Sequence, residues 1–71
     1  MDKINYEEML VLVRKLPDAY RTVFNLIAIE GYKHREVSVM LNISEGTSKS
    51  NYNRAKKKLQ EYLNIYFEIQ K

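Results

Sequence analysis

The sequence predicts an all-α fold: a four-helix domain containing a helix-turn-helix with a long C-terminal recognition helix. Three observations carry that expectation. One proline and two glycines interrupt 71 residues, so breaks are few. Apolar residues recur at three- and four-residue spacings, and the strict alternation of a half-buried strand never persists. Past the middle of the chain, a serine suited to cap a helix follows a short turn and opens a segment rich in lysine and arginine.

The first helix is expected from about Asn5 to Lys15, with Tyr6, Met9, Leu10, Val13 and Leu16 on one face. Asn5 suits the N-cap. Glu7 and Glu8 then lie near the positive end of the helix dipole, and Arg14 and Lys15 near its negative end. Pro17 disfavours helical backbone at Leu16 but fits a first helical position itself, so a second helix is expected from Pro17 to Glu30. Its apolar residues, Tyr20, Val23, Phe24, Leu26, Ile27, Ala28 and Ile29, cover so much of the circumference that it is expected to be the buried centre of the domain. Gly31, free to adopt left-handed backbone, ends it.

A third, shorter helix is expected from His34 to Leu41, with Val37, Met40 and Leu41 inward and His34, Arg35, Glu36 and Ser38 outward. Asn42, Ile43 and Ser44 form the turn. Ser44 caps a fourth helix running from Glu45 toward Phe67, and Ile43 tucks into the core beside it. The inward stripe of that helix reads Ser48, Tyr52, Ala55, Leu59, Leu63 and Tyr66.

Seventy-one residues enclose one core and one domain, which excludes a large enzyme. With 45% hydrophobic and 30% charged residues, the chain has the composition of a globular domain. No cysteine is present, so disulfides, thiolate metal sites and cysteine nucleophiles are all excluded, and the cytoplasm is the default location. No apolar run is long enough to span a membrane, and Asp2, Glu7 and Glu8 do not fit a signal peptide. His34, the single histidine, has no acidic or histidine partner at helical ligand spacing, so no metal and no other cofactor is expected. Ser, Asp and His do occur, but their placement pairs no nucleophile with a base; no enzyme activity and no small-molecule substrate are expected.

The net charge of +3 is unevenly spread. Residues 1–43 sum to zero, residues 44–58 to +4 and residues 59–71 to −1. A basic patch on one short segment of a neutral chain suits a surface that meets phosphate. Two short helices joined by a tight turn, with the patch on the second, match a DNA-binding helix-turn-helix. A major groove about 12 Å wide admits one helix, whose first turns meet base edges. The outward residues of those turns are Glu45, Gly46, Thr47, Lys49, Ser50, Asn53, Arg54 and Lys57.

Each residue type suits a task there. Arg54 can grip guanine or a phosphate with two bonds, Lys49 can serve either, and Asn53 can pair with adenine. Thr47 and Ser50 are short enough to let the helix sit close, and Gly46 leaves early backbone amides open to a phosphate. Of Lys56, Lys57 and Lys58, which point in three directions about 100° apart, Lys57 is best placed toward the groove.

The run Leu16-Pro17-Asp18-Ala19-Tyr20-Arg21-Thr22-Val23-Phe24, then Glu30-Gly31-Tyr32, Glu36-Val37, Met40-Leu41-Asn42-Ile43-Ser44-Glu45-Gly46-Thr47, Lys49-Ser50 and Arg54-Ala55, closely resembles region 4 of bacterial sigma factors. The nearest subgroup is the extracytoplasmic-function type, and the similarity covers about residues 16–60. The resemblance implies a module that recognises the minus-35 promoter element in the major groove and binds the β flap of RNA polymerase, with an anti-sigma protein as a further partner. It places Glu45, Gly46, Thr47, Lys49, Ser50 and Arg54 on the recognition helix, and Lys33, His34 and Arg35 near phosphates. This sequence departs from the family at three points: Lys33 stands where a serine cap is frequent, Ser48 where valine is usual, and Asn51 where a second base often lies. Family members also carry a region 2 that opens DNA, for which 71 residues leave no room; an excised domain is therefore expected, with Met1 supplied at the excision.

Two rival readings stand beside this one. A conventional regulator would use the same fold as a dimer on paired half-sites. A pure interaction module would use the apolar C-terminal end, where Tyr62, Ile65, Tyr66, Phe67 and Ile69 exceed what one inward stripe can hide.

Overall fold

A computed structural model describes residues 4–70 of the chain. The expectations placed on Met1 and Asp2 lie outside these residues. Helix α1 spans Tyr6–Arg14 and opens on a reciprocal cap: Asn5 Oδ1 accepts the Glu8 N–H at 2.8 Å, and Glu8 Oε1 accepts the Asn5 N–H at 3.1 Å. Helix α2 spans Asp18–Phe24, starting just after Pro17. The Arg21 guanidinium pairs with Asp18 at 2.6 Å and donates to the Arg14 carbonyl at 3.1 Å, which holds the end of α1 against α2.

The single regular helix expected as far as Glu30 is corrected. From Asn25 to Ile29 the backbone widens into one π-helical turn, and the Glu30 N–H reaches back five residues to the Asn25 carbonyl at 2.9 Å. Gly31 at φ +82° closes the element as expected, with the Tyr32 N–H donating to the Leu26 carbonyl at 2.9 Å. Helix α3 spans His34–Leu41, and helix α4 spans Glu45–Gln70, three residues beyond the expected end. Between them Asn42 takes left-handed backbone at φ 55°, which its short polar side chain tolerates. At a rise of about 1.5 Å per residue α4 is about 39 Å long, so it sets the long axis of a molecule measuring 42 × 18 × 17 Å.

Helices α1, α2 and α3 all lie along this one rod. Leu12, Val13 and Leu16 meet Ala55 and Leu59 in the core, with Ile4, Met9, Tyr20, Phe24, Tyr62 and Leu63 packed around them. Val23 of α2, Val37 of α3 and Ser48 of α4 are fully buried as well. The expected central burial of the second helix is corrected: Val23 alone on α2 is buried, while Ala28 and Ile29 face solvent. Three short helices laid on one long helix leave each of them with an outer side, and a chain this small cannot enclose any of them.

Two inward assignments are corrected as well. Tyr6 is 65% exposed, and Leu12 takes the inward position while Ile4, ahead of the cap, packs on the core. Met40 is 51% exposed, since an eight-residue α3 buries only the stripe centred on Val37, with Leu41 half-buried.

Candidate nucleic-acid interface

Ser44 organises the start of the recognition helix. Its Oγ accepts the Thr47 N–H at 2.9 Å, and its hydroxyl hydrogen goes to Thr47 Oγ1 at 2.9 Å. Because Ser48, Tyr52, Ala55 and Leu59 are pinned to the core side, the 100° step of an α-helix turns Gly46, Ser50, Asn53 and Lys57 to the opposite side, with Lys49 and Arg54 on its two flanks. Lys49, Asn53, Arg54 and Lys57 are exposed, and Ser50 is half-buried.

Among the described residues, none forms a hydrogen bond or ion pair with the side chains of Lys49, Asn53, Arg54 or Lys57. Their donors are free for an external acceptor. Lys56, on the same flank as Lys49, is instead used internally: its Nζ stands 4.6 Å from the centre of the Tyr52 ring, a cation–π contact at i,i+4 spacing. A Cβ added at Gly46 would meet only Ser44 Oγ at 3.7 Å, so the protein itself does not require glycine there. The bare backbone leaves the first amides of α4 uncovered.

At the start of α3, Lys33 and Arg35 are exposed as expected, and the Lys33 N–H donates to Glu36 Oε1 at 2.8 Å. That bond satisfies the amide of Lys33, a different donor from the first-turn amide that a serine cap would accept. His34 is corrected: it is half-buried and turned inward, with Nδ1 2.8 Å from Ser48 Oγ and its ring edge-on to Tyr52 at 5.6 Å. Tyr52 in turn stacks on Phe24 of α2 at 5.9 Å. Periodicity could not reveal this link, because His34 and Ser48 lie 14 residues apart across a turn. A serine on an otherwise apolar stripe was the one available signal that some polar group must face it.

Glu45 and Thr47 are exposed at the tip of α4, the latter with its hydroxyl already engaged by the cap. Far along the same helix, the Tyr66 hydroxyl donates to Glu8 and the Tyr62 hydroxyl donates to the Lys15 carbonyl at 3.3 Å, tying the tail of α4 to α1. The Tyr66 bond, with that from the Asn5 amide, holds the Glu8 carboxyl below its ordinary value of 4.5. Beside these ties, Leu12, Lys15, Tyr62, Ile65, Tyr66 and Ile69 line an apolar groove of about 270 Å³. Among the described residues no group of His, Asp and Glu is placed to hold a metal ion, and no helix is long and apolar enough to cross a membrane.

A capped helix carrying unpaired bases on its outer side, set by a tight turn against a shorter helix, defines a helix-turn-helix domain of the DNA-binding class. A family model described as Sigma-70, region 4 matches residues 6–59, from the first turn of α1 to past the midpoint of α4. The chain belongs to this family and has its DNA-binding role in sigma factors, which engages promoter DNA and RNA polymerase. No match is found among curated proteins or among solved structures.

Proposed function

We propose that this domain reads the minus-35 promoter element through α4 in the major groove, as region 4 of an extracytoplasmic-function sigma factor acting in the cytoplasm. The observation that carries this reading is the outer side of α4, where Lys49, Asn53, Arg54 and Lys57 stand exposed without a hydrogen-bond or ion-pair partner among the described residues. Arg54, Lys49 and Asn53 serve as base readers. Lys57, Ser50, Thr47 and the amides around Glu45 and Gly46 meet or admit the backbone, with Lys33 and Arg35 closing on a phosphate beside α3. The domain performs no chemistry of its own and forms one module of a longer factor.

The apolar groove between α1 and the tail of α4 supports a protein contact, for which the polymerase β flap and an anti-sigma protein are the partners proposed. Exposure of Ile65 at 59% and Ile69 at 73% also favours the second reading, a protein-interaction module that does not read sequence. Selection of duplexes from a randomised pool by the domain attached to polymerase separates the two. Enrichment of one short motif upheld by Arg54 supports promoter reading, and enrichment of none sinks it.

A further inference from the structure

Ser48 is fully buried on the face of α4 that meets α3, and its hydroxyl is satisfied by His34 Nδ1 at 2.8 Å. On α3, Val37 is also fully buried and contributes apolar packing. Apolar contact is non-directional and tolerates small slides and rotations, whereas a hydrogen bond fixes distance and angle within narrow limits. Among the described residues, orientation between α3 and α4 is therefore concentrated in one polar link. It joins the first residue of α3 to the helical turn immediately before Lys49, Ser50 and Asn53.

We propose that the His34–Ser48 bond is a positioning tie that sets the pose of α4 against α3, so that residues on both helices meet one duplex in register. The proposal rests on DNA reading by α4 and adds the residue pair that aims it. The bond survives in either neutral tautomer, since the hydroxyl donates to a bare Nδ1 and accepts from a protonated one. Tyr52, one turn further along α4, supports the ring edge-on and is itself held by Phe24 and Lys56. The imidazole is thus braced by Tyr52, which Phe24 of α2 holds in turn, while its Nδ1 is committed to Ser48.

The test uses the 71-residue chain, the duplex that it selects from a randomised pool, and a scrambled duplex of equal length. Ser48→Ala and His34→Leu, compared under conditions where circular dichroism reports every variant fully helical, should lower the ratio of selected to scrambled affinity about tenfold. His34→Asn, whose amide reaches the place of Nδ1, should keep that ratio within about twofold of the parent. A purely structural role would leave the ratio of the folded variants unmoved, and that result overturns the tie. Failure of His34→Asn to exceed His34→Leu overturns it equally. If the parent chain enriches no sequence, DNA reading itself fails, and the tie falls with it.

Discussion

Arg54 and Lys57 occupy neighbouring positions on the outer side of α4 but are assigned different tasks, and the difference is measurable. Arg54→Ala should cost about 1–3 kcal/mol of binding to the selected duplex and relax base preference at one position, read by fluorescence anisotropy against single-base variants. Lys57→Ala should weaken all duplexes alike and reduce the slope of log affinity against log salt by about one. Both residues were legible in the sequence, because exposure on a helix follows from the position of the inward stripe. His34 was not. Its spacing suggested an outward residue at a helix start, and only the fold brings it within 2.8 Å of Ser48. Lys56 was legible as a base but not as the partner of Tyr52, although its i,i+4 spacing permits that contact.

Caps and ties define the elements. Ser44→Ala removes the acceptor for the Thr47 amide and should lower stability by about 1 kcal/mol, seen as a lower urea midpoint with fraying confined to the first turn of α4 in hydrogen exchange. Glu8 caps α1 and also accepts from Tyr66, so one carboxylate both starts α1 and ties it to the tail of α4. Its folded pKa lies below the ordinary 4.5. The stabilisation is therefore present above that value and lost as acid takes the pH down through the folded one. Thermal melts of Glu8→Gln and the parent should differ near neutral pH and converge in acid. Helix starts were legible because Asn5, Pro17 and Ser44 act locally. The π turn at Asn25–Ile29 was not, since nothing in its apolar run distinguishes a widened turn from a regular one.

One long helix serving as the spine explains both the stability and the exposure of the whole molecule. Val37 is the fully buried residue of α3, so Val37→Ala should cost about 2 kcal/mol, read by denaturant unfolding, and should loosen the helix-turn-helix before the α1–α4 core. The matched family segment ends at residue 59, and α4 continues to Gln70 with Ile65 and Ile69 facing outward. The domain thus presents two separate faces on one rod, a basic one near its start and an apolar one near its end.

The sequence by itself determined the helices apart from the π turn, the caps at Asn5 and Ser44, the stop at Gly31, the turn at Asn42–Ser44 and the basic outer side of α4, because capping, glycine and proline geometry and the 3.6-residue period act over a few residues. It also carried the family resemblance that residues 6–59 bear out. Tertiary structure alone decided which apolar residues found cover, turning Tyr6 and Met40 outward and Leu12 inward, since burial depends on where the neighbouring helix stops. It alone joined His34 to Ser48 and Glu8 to Tyr66. Those pairs are separated by 14 and 58 residues, and no local pattern can specify a contact that exists only after helices dock.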